Sequence, residues 1–101
     1  MARRVLRAYL ARAAEEEFVA SRARYTREAR EIARSFEAEV RRAVAFIERF
    51  PEASPIAEGT VRRKILRKPF EYSLFYVIEP DRIRIVAVAH HRRDPGYWTG
   101  R

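Results

Sequence analysis

A chain of 101 residues has material for one domain with a modest core, and the absence of cysteine excludes disulfides and thiolate metal sites. Its 48% apolar residues, three glycines and five prolines make a globular composition, not a disordered one. The net charge of +8 is unevenly spread: residues 1–59 carry 12 basic and 10 acidic side chains, residues 60–101 carry 10 and 4. The first half reads as solvated, mixed-sign surface, and the second as a field that attracts a polyanion or an acidic protein.

The opening MARRVLRAYLARAA starts like a signal peptide, but Arg7 and Arg12 interrupt any apolar stretch and no run reaches transmembrane length. A cytoplasmic protein without membrane contact is expected. Val5 to Leu10 reads as a short strand. Neither glycine nor proline occurs from Met1 to Phe50, so helix should dominate there. The first helix is expected over Ala11 to Tyr25, with Ala14, Phe18 and Tyr25 turned inward. The second has the clearer pattern, because Ile32, Phe36, Val40, Ala43, Val44 and Ile47 recur at three- and four-residue steps. Glu37, Glu39, Arg41, Arg42 and Glu48 fall between them as an exposed face, with Glu37 and Arg41 at i,i+4 spacing. A single helix of roughly 40 residues would have nothing to bury both ends against in so small a domain. A helical hairpin is therefore expected, its second helix capped by Thr26 or by the weaker candidate Ser21. Pro51 ends it.

Pro51 to Gly59 reads as a loop, and three strand-like runs follow. Val61 to Lys68 alternates imperfectly around Ile65 and Leu66. Phe70 to Ile78 puts Phe70, Tyr72, Leu74, Tyr76 and Ile78 on one face and Phe75 and Val77 on the other. Glu79 to Arg82 is a turn, and Ile83 to His90 is apolar on both faces, as a central strand should be. The expected class is α+β, a helical hairpin over an antiparallel three-stranded meander. Leu74, Tyr76, Val86 and Val88, divided between two faces, offer more apolar surface than one hairpin covers.

No phosphate-cradling glycine loop, dinucleotide fingerprint or zinc-protease motif is present. His90 and His91 are adjacent, so on a strand they point to opposite faces and cannot chelate one metal together. No metal or cofactor is expected. Ser21, Ser35, Ser54 and Ser73 lack the strand-turn-helix context of a serine nucleophile. What remains is a basic strand pair and the segment AHHRRDPGYW, Ala89 to Trp98. RNA cleavage needs no metal: the ribose 2′-hydroxyl attacks if side chains move protons and cations hold the phosphorane charge. Histidine, arginine, lysine and tyrosine can divide those roles, and Tyr97 and Trp98 can stack on bases. The structural alternative is that one histidine completes the core, the arginines are solvated, and Tyr97 and Trp98 cover an end of the sheet. That alternative is favoured for Trp98 and evenly balanced for Arg92 and Arg93.

The run VRRKILRKPFEYSLFYVIEPDRIRIVAVAHHRRDPGYW resembles the carboxyl half of the RelE/ParE toxins of bacterial type II toxin–antitoxin modules. RSFEAEVRRAVAFIERFPEASP, Arg34 to Pro55, resembles their second helix and following loop. The resemblance implies a β-α-α-β-β-β order, a cognate antitoxin, and growth inhibition by ribosome-dependent mRNA cleavage or by binding DNA gyrase without chemistry. Three departures stand out. AREIA, Ala29 to Ala33, replaces a Pro-Gly loop between the helices; Pro69-Phe70-Glu71-Tyr72 stands where relatives often have Phe-Pro-Tyr; and Ser73 stands where nucleases of the family often have arginine. The expected activity is mRNA cleavage by an endoribonuclease, with Arg63, Lys64, Arg67, Arg92, Arg93 and Tyr97 forming the site and His90 and His91 as reserve acid–base groups. Gyrase inhibition, and a non-toxic nucleic-acid-binding module using the same basic sheet, remain the alternatives.

Overall fold

One residue separates the two helices. In the computed structural model, which describes residues 5–101, β1 (Ala8–Leu10) leads into α1 (Arg12–Glu28) and α2 (Arg30–Arg49). The first four residues of the MARRVLRAYLARAA opening lie outside the described residues. Ala29 is fully extended (φ −165°, ψ 139°), and its N–H still donates to the Tyr25 carbonyl at 2.9 Å. Neither expected cap is used. Thr26 donates its hydroxyl back to the Arg22 carbonyl at 2.9 Å, and Ser21 is buried within α1. A hydroxyl satisfied by the i−4 carbonyl has no reason to leave the helix. Packing sets the break instead, because the hairpin brings Phe36 of α2 within 5.9 Å of the Phe18 ring and 5.1 Å of Tyr25 on α1. A continuous helix would carry those rings apart.

Beyond α2 come β2 (Ile56–Glu58), β3 (Val61–Ile65), β4 (Tyr72–Ile78) and β5 (Ile83–His90). They form one sheet of order β1-β5-β4-β3-β2, with β1 parallel to β5 and the other pairs antiparallel. The expected α+β order holds, with shifts at the edges. The first strand starts at Ala8 rather than Val5, whose side chain is exposed. The loop Pro51 to Gly59 contains β2, joined to β3 through Gly59 at φ +56°, which favours glycine. Strand β3 stops at Ile65, which is exposed, while Leu66 turns into the core. Strand β4 starts two residues later than expected, yet Phe70 still packs its ring 5.4 Å from Phe36.

Helix α2 buries Phe36, Val40, Ala43 and Ile47 against Tyr72, Leu74 and Tyr76 of β4 and Ile83, Ile85 and Val88 of β5. Each large side chain so buried contributes about 1.5–3 kcal/mol. Two residues expected on the solvent face of α2 turn inward. Glu39 is 9% exposed and accepts two 2.7 Å bonds from Arg42 and one from the Arg67 N–H; Glu48 accepts from the Ala8 N–H at 2.8 Å. The i,i+4 ion pair of Glu37 and Arg41 is present at 3.8 Å.

The opposite sheet face carries a second, smaller core. Trp98 stacks on Phe75 at 4.9 Å and closes over Val86 and Ala87. The surplus apolar surface expected at Leu74, Tyr76, Val86 and Val88 is thus absent: all four are 2% exposed or less. Sequence periodicity did not reveal that the tail folds back over the sheet. A β-bulge makes the two faces possible, since Phe75 pairs with Ala87 and Tyr76 with Ile85, leaving Val86 without a register partner. The extra residue shifts the alternation, so Ile83 and Ile85 share the helix side with Val88 and His90. Among the described residues no helix is long and apolar enough to cross a membrane.

Candidate functional site

Strands β3 and β4 and the residue after β5 place three polar side chains in a row on the face away from the helices. Arg63 donates from Nε to the Ser73 hydroxyl at 2.9 Å, and that hydroxyl meets His91 Nε2 at 3.0 Å. Ser73 is fully buried beneath them, so its oxygen links the two groups and is not exposed for attack. They form the floor of a pocket of about 470 Å³, walled by β2 on one side and by Asp94 to Gly96 on the other. Gly96, at φ +75°, turns the chain there and sends Trp98 back over the sheet.

The other candidates are distributed. Arg93 lines this pocket with its guanidinium 3.8 Å above the Tyr97 ring, a cation–π contact that fixes its plane. Tyr97 also lines it, but its hydroxyl turns away to donate to Glu17 of α1 at 2.5 Å. Burial, with the hydrogen bond to Glu17 and its charge, pushes that hydroxyl up to about 12. Lys64, one residue from Arg63, points to the helix side and sits 4.0 Å from the Phe46 ring centroid. Burial there, reinforced by Arg42, pushes its ammonium below the ordinary lysine range. Arg67 follows β3 as an exposed side chain whose backbone N–H is held by Glu39.

The two histidines do lie on opposite faces. His90 packs edge-on against Tyr72 at 4.9 Å on the helix side, and its Nδ1 accepts from the Arg92 N–H at 3.0 Å. Burial, then the charge of Arg92, lowers its pKa below the ordinary histidine value. Arg92 is exposed beside it. Of eight candidates, then, Arg63, His90, His91, Arg93 and the Tyr97 ring line one pocket, whereas Lys64, Arg67 and Arg92 stand outside it, Arg92 donating its backbone N–H to His90 Nδ1.

Sequence reasoning missed Glu17. Its carboxylate accepts from the Val88 N–H at 3.0 Å, from Tyr97 and from Arg101 at 2.9 Å, tying α1 to β5 and the tail. Within AEEEF nothing marks it out from Glu15 and Glu16, because its partners are 71 to 84 residues away.

With that geometry in place, comparison with known proteins settles the family. A model described as ParE toxin of type II toxin-antitoxin system, parDE, matches residues 9–95. The chain belongs to the ParE toxin family. It is the toxin component of a type II toxin–antitoxin module, and its partner is a cognate antitoxin. The fold is similar to a solved structure described as "Chromosomal ParDE TA system from P. aeruginosa", at TM-score 0.66 and 15% identity, over 85% of this chain and 96% of that one. At that identity the likeness concerns fold alone. No curated protein sequence matches the chain.

Proposed function

We propose that this toxin, read as a single domain over residues 1–101, acts in the cytoplasm by binding, as an inhibitor of DNA gyrase, and not by cutting RNA. The observation that carries this reading is the commitment of Tyr97. Its hydroxyl is spent on Glu17 and held at about 12, far from the near-neutral value a general acid or base needs. Supporting it, Lys64 lies across the sheet from Arg63, and Ser73 stands where the nucleases that this chain resembles often have arginine. A binding toxin needs only a rigid, charged surface, which the pinned tail and the basic sheet supply.

One observation favours mRNA cleavage as the second reading. Arg63 and His91 reach the same 470 Å³ pocket, with Arg93 beside them, so a cation and a titratable ring face one space. The decisive experiment adds purified toxin to a gyrase supercoiling assay and, separately, to ribosomes translating a defined message. Loss of supercoiling with intact message is expected. Message cut within the reading frame, with supercoiling unaffected, would sink the proposal in favour of the second reading.

A further inference from the structure

A second open cleft, of about 430 Å³, lies between α1 and the end of β5 on the helix side of the sheet. Arg24 reaches it from α1, and Arg92 and Arg93 reach it from the segment after β5. All three are exposed, and none forms an ion pair with a carboxylate among the described residues. Two of them are nevertheless held in place. Arg24 donates to the Tyr72 hydroxyl at 2.9 Å and to Ser21 at 3.4 Å, while Arg93 lies over the Tyr97 ring. Glu17, the carboxylate at the back of the cleft, is already occupied by Val88, Tyr97 and Arg101. Glu71 acts on His90 from outside the lining.

Planar guanidinium groups with free N–H edges suit phosphate oxygens, which they grip two at a time. The mutual repulsion of three cations around one space is relieved when an anion enters it. The charge also continues past the cleft. Leu66, the residue after β3, bonds to Tyr72 at the start of β4, which pairs with His90 at the end of β5, so exposed Arg67 and Lys68 extend the arginines along the same end of the sheet. Two strand spacings make that stretch about 10 Å long. A free phosphate would fill only part of it, whereas a nucleic-acid strand places roughly three charges along such a length.

We infer that this cleft binds a backbone phosphate of a nucleic acid, gripped by Arg24, Arg92 and Arg93, with Arg67 and Lys68 meeting the phosphates beside it. The site adjoins the Arg63–His91 pocket, with which it shares His90, Arg93 and Tyr97, but Arg24 and Arg92 belong to it alone, and it holds whether or not gyrase is the toxin's target.

Fluorescence anisotropy with labelled duplex DNA and single-stranded RNA of equal length, each across a salt series, tests it. Arg24→Ala should weaken binding of the tighter probe about ten-fold and reduce the salt slope by about one. Which probe binds tighter names the source of the phosphate. Arg12→Ala removes the same charge from an exposed pair with Glu16 and should leave the slope unchanged. Arg24 also holds Tyr72, so Arg92→Ala, whose guanidinium makes no hydrogen bond among the described residues, gives the answer if Arg24→Ala misfolds. Absence of binding by the unaltered toxin, equal losses in Arg12→Ala and Arg92→Ala, or a loss confined to antitoxin affinity would each overturn the inference. Gyrase inhibition is read separately, so its absence bears only on the proposed function.

Discussion

Tyr97 donates its hydroxyl to Glu17 across 80 residues of sequence, at 2.5 Å. The bond fastens the tail that carries Trp98 to the helix that covers the opposite face of the sheet. Burial first, and the bond to Glu17 second, favour the neutral phenol in the folded state and hold it at about 12, above the ordinary value of 10. A group whose folded pKa is raised stabilises the fold fully below its unfolded pKa and loses that contribution as pH rises through the folded one. Stability should therefore fall between about pH 10 and pH 12 more steeply in the unaltered protein than in Tyr97→Phe. Denaturant unfolding across that window checks it, and parallel profiles would show that Tyr97 is not the group responsible.

Glu39 has the opposite linkage. The hydrogen bond from Arg42, opposed by burial and aided by the Arg67 N–H, holds its carboxyl below the usual range. Its contribution is present above the unfolded carboxylate pKa and is lost as pH falls through the depressed folded value. Glu39→Gln should cost about 1.5–3 kcal/mol at neutral pH, the range for hydrogen bonds to a charged group. The deficit relative to the unaltered chain should shrink in acid. Urea midpoints at the two pH values measure both effects.

Trp98 is a packing residue, 6% exposed and stacked on Phe75. Trp98→Ala should remove about 3–5 kcal/mol and expose Val86 and Ala87 to solvent. Thermal unfolding followed by circular dichroism reads the change, since the substitution deletes the only tryptophan fluorophore. A melting temperature within a degree or so of the original would mean that the second core contributes little.

His91→Asn separates binding from catalysis. Asparagine can still meet Ser73 but can neither take up nor give up a proton as an imidazole does. Loss of a general acid or base costs about 10²- to 10⁴-fold in rate, whereas a binding surface should keep its shape. Growth arrest on induction is expected to persist, and its abolition in a folded variant would point back to RNA cleavage.

Some of this protein was legible in one dimension. The spacing of Phe36, Val40, Ala43 and Ile47 identified α2 because a helix repeats every 3.6 residues, and each of those side chains is buried. Strand β5 runs from Ile83 to His90 as its apolar run suggested, and the opposite facing of His90 and His91 followed from adjacency alone. These are local properties, set by backbone geometry within a few residues. The resemblance in Val61 to Trp98 also led to the toxin family that residues 9–95 match.

Which side chains meet was decided by tertiary structure. The break at Ala29 depends on rings from both helices packing together, and no residue near Ala29 signals it. Glu39 looks like any solvent-facing carboxylate until the end of β3 brings Arg67 over it, 28 residues on. The unpaired Val86 resets the facing of half a strand, an event invisible to an alternation rule that counts every residue equally. Arg63 and Lys64 share a run of charge in sequence, but a strand sends neighbours to opposite faces, one to Ser73 and the other to Phe46. Charge and residue type belong to the chain, whereas convergence on a common space belongs to the fold, because the partners of each candidate are contributed by strands and helices tens of residues away.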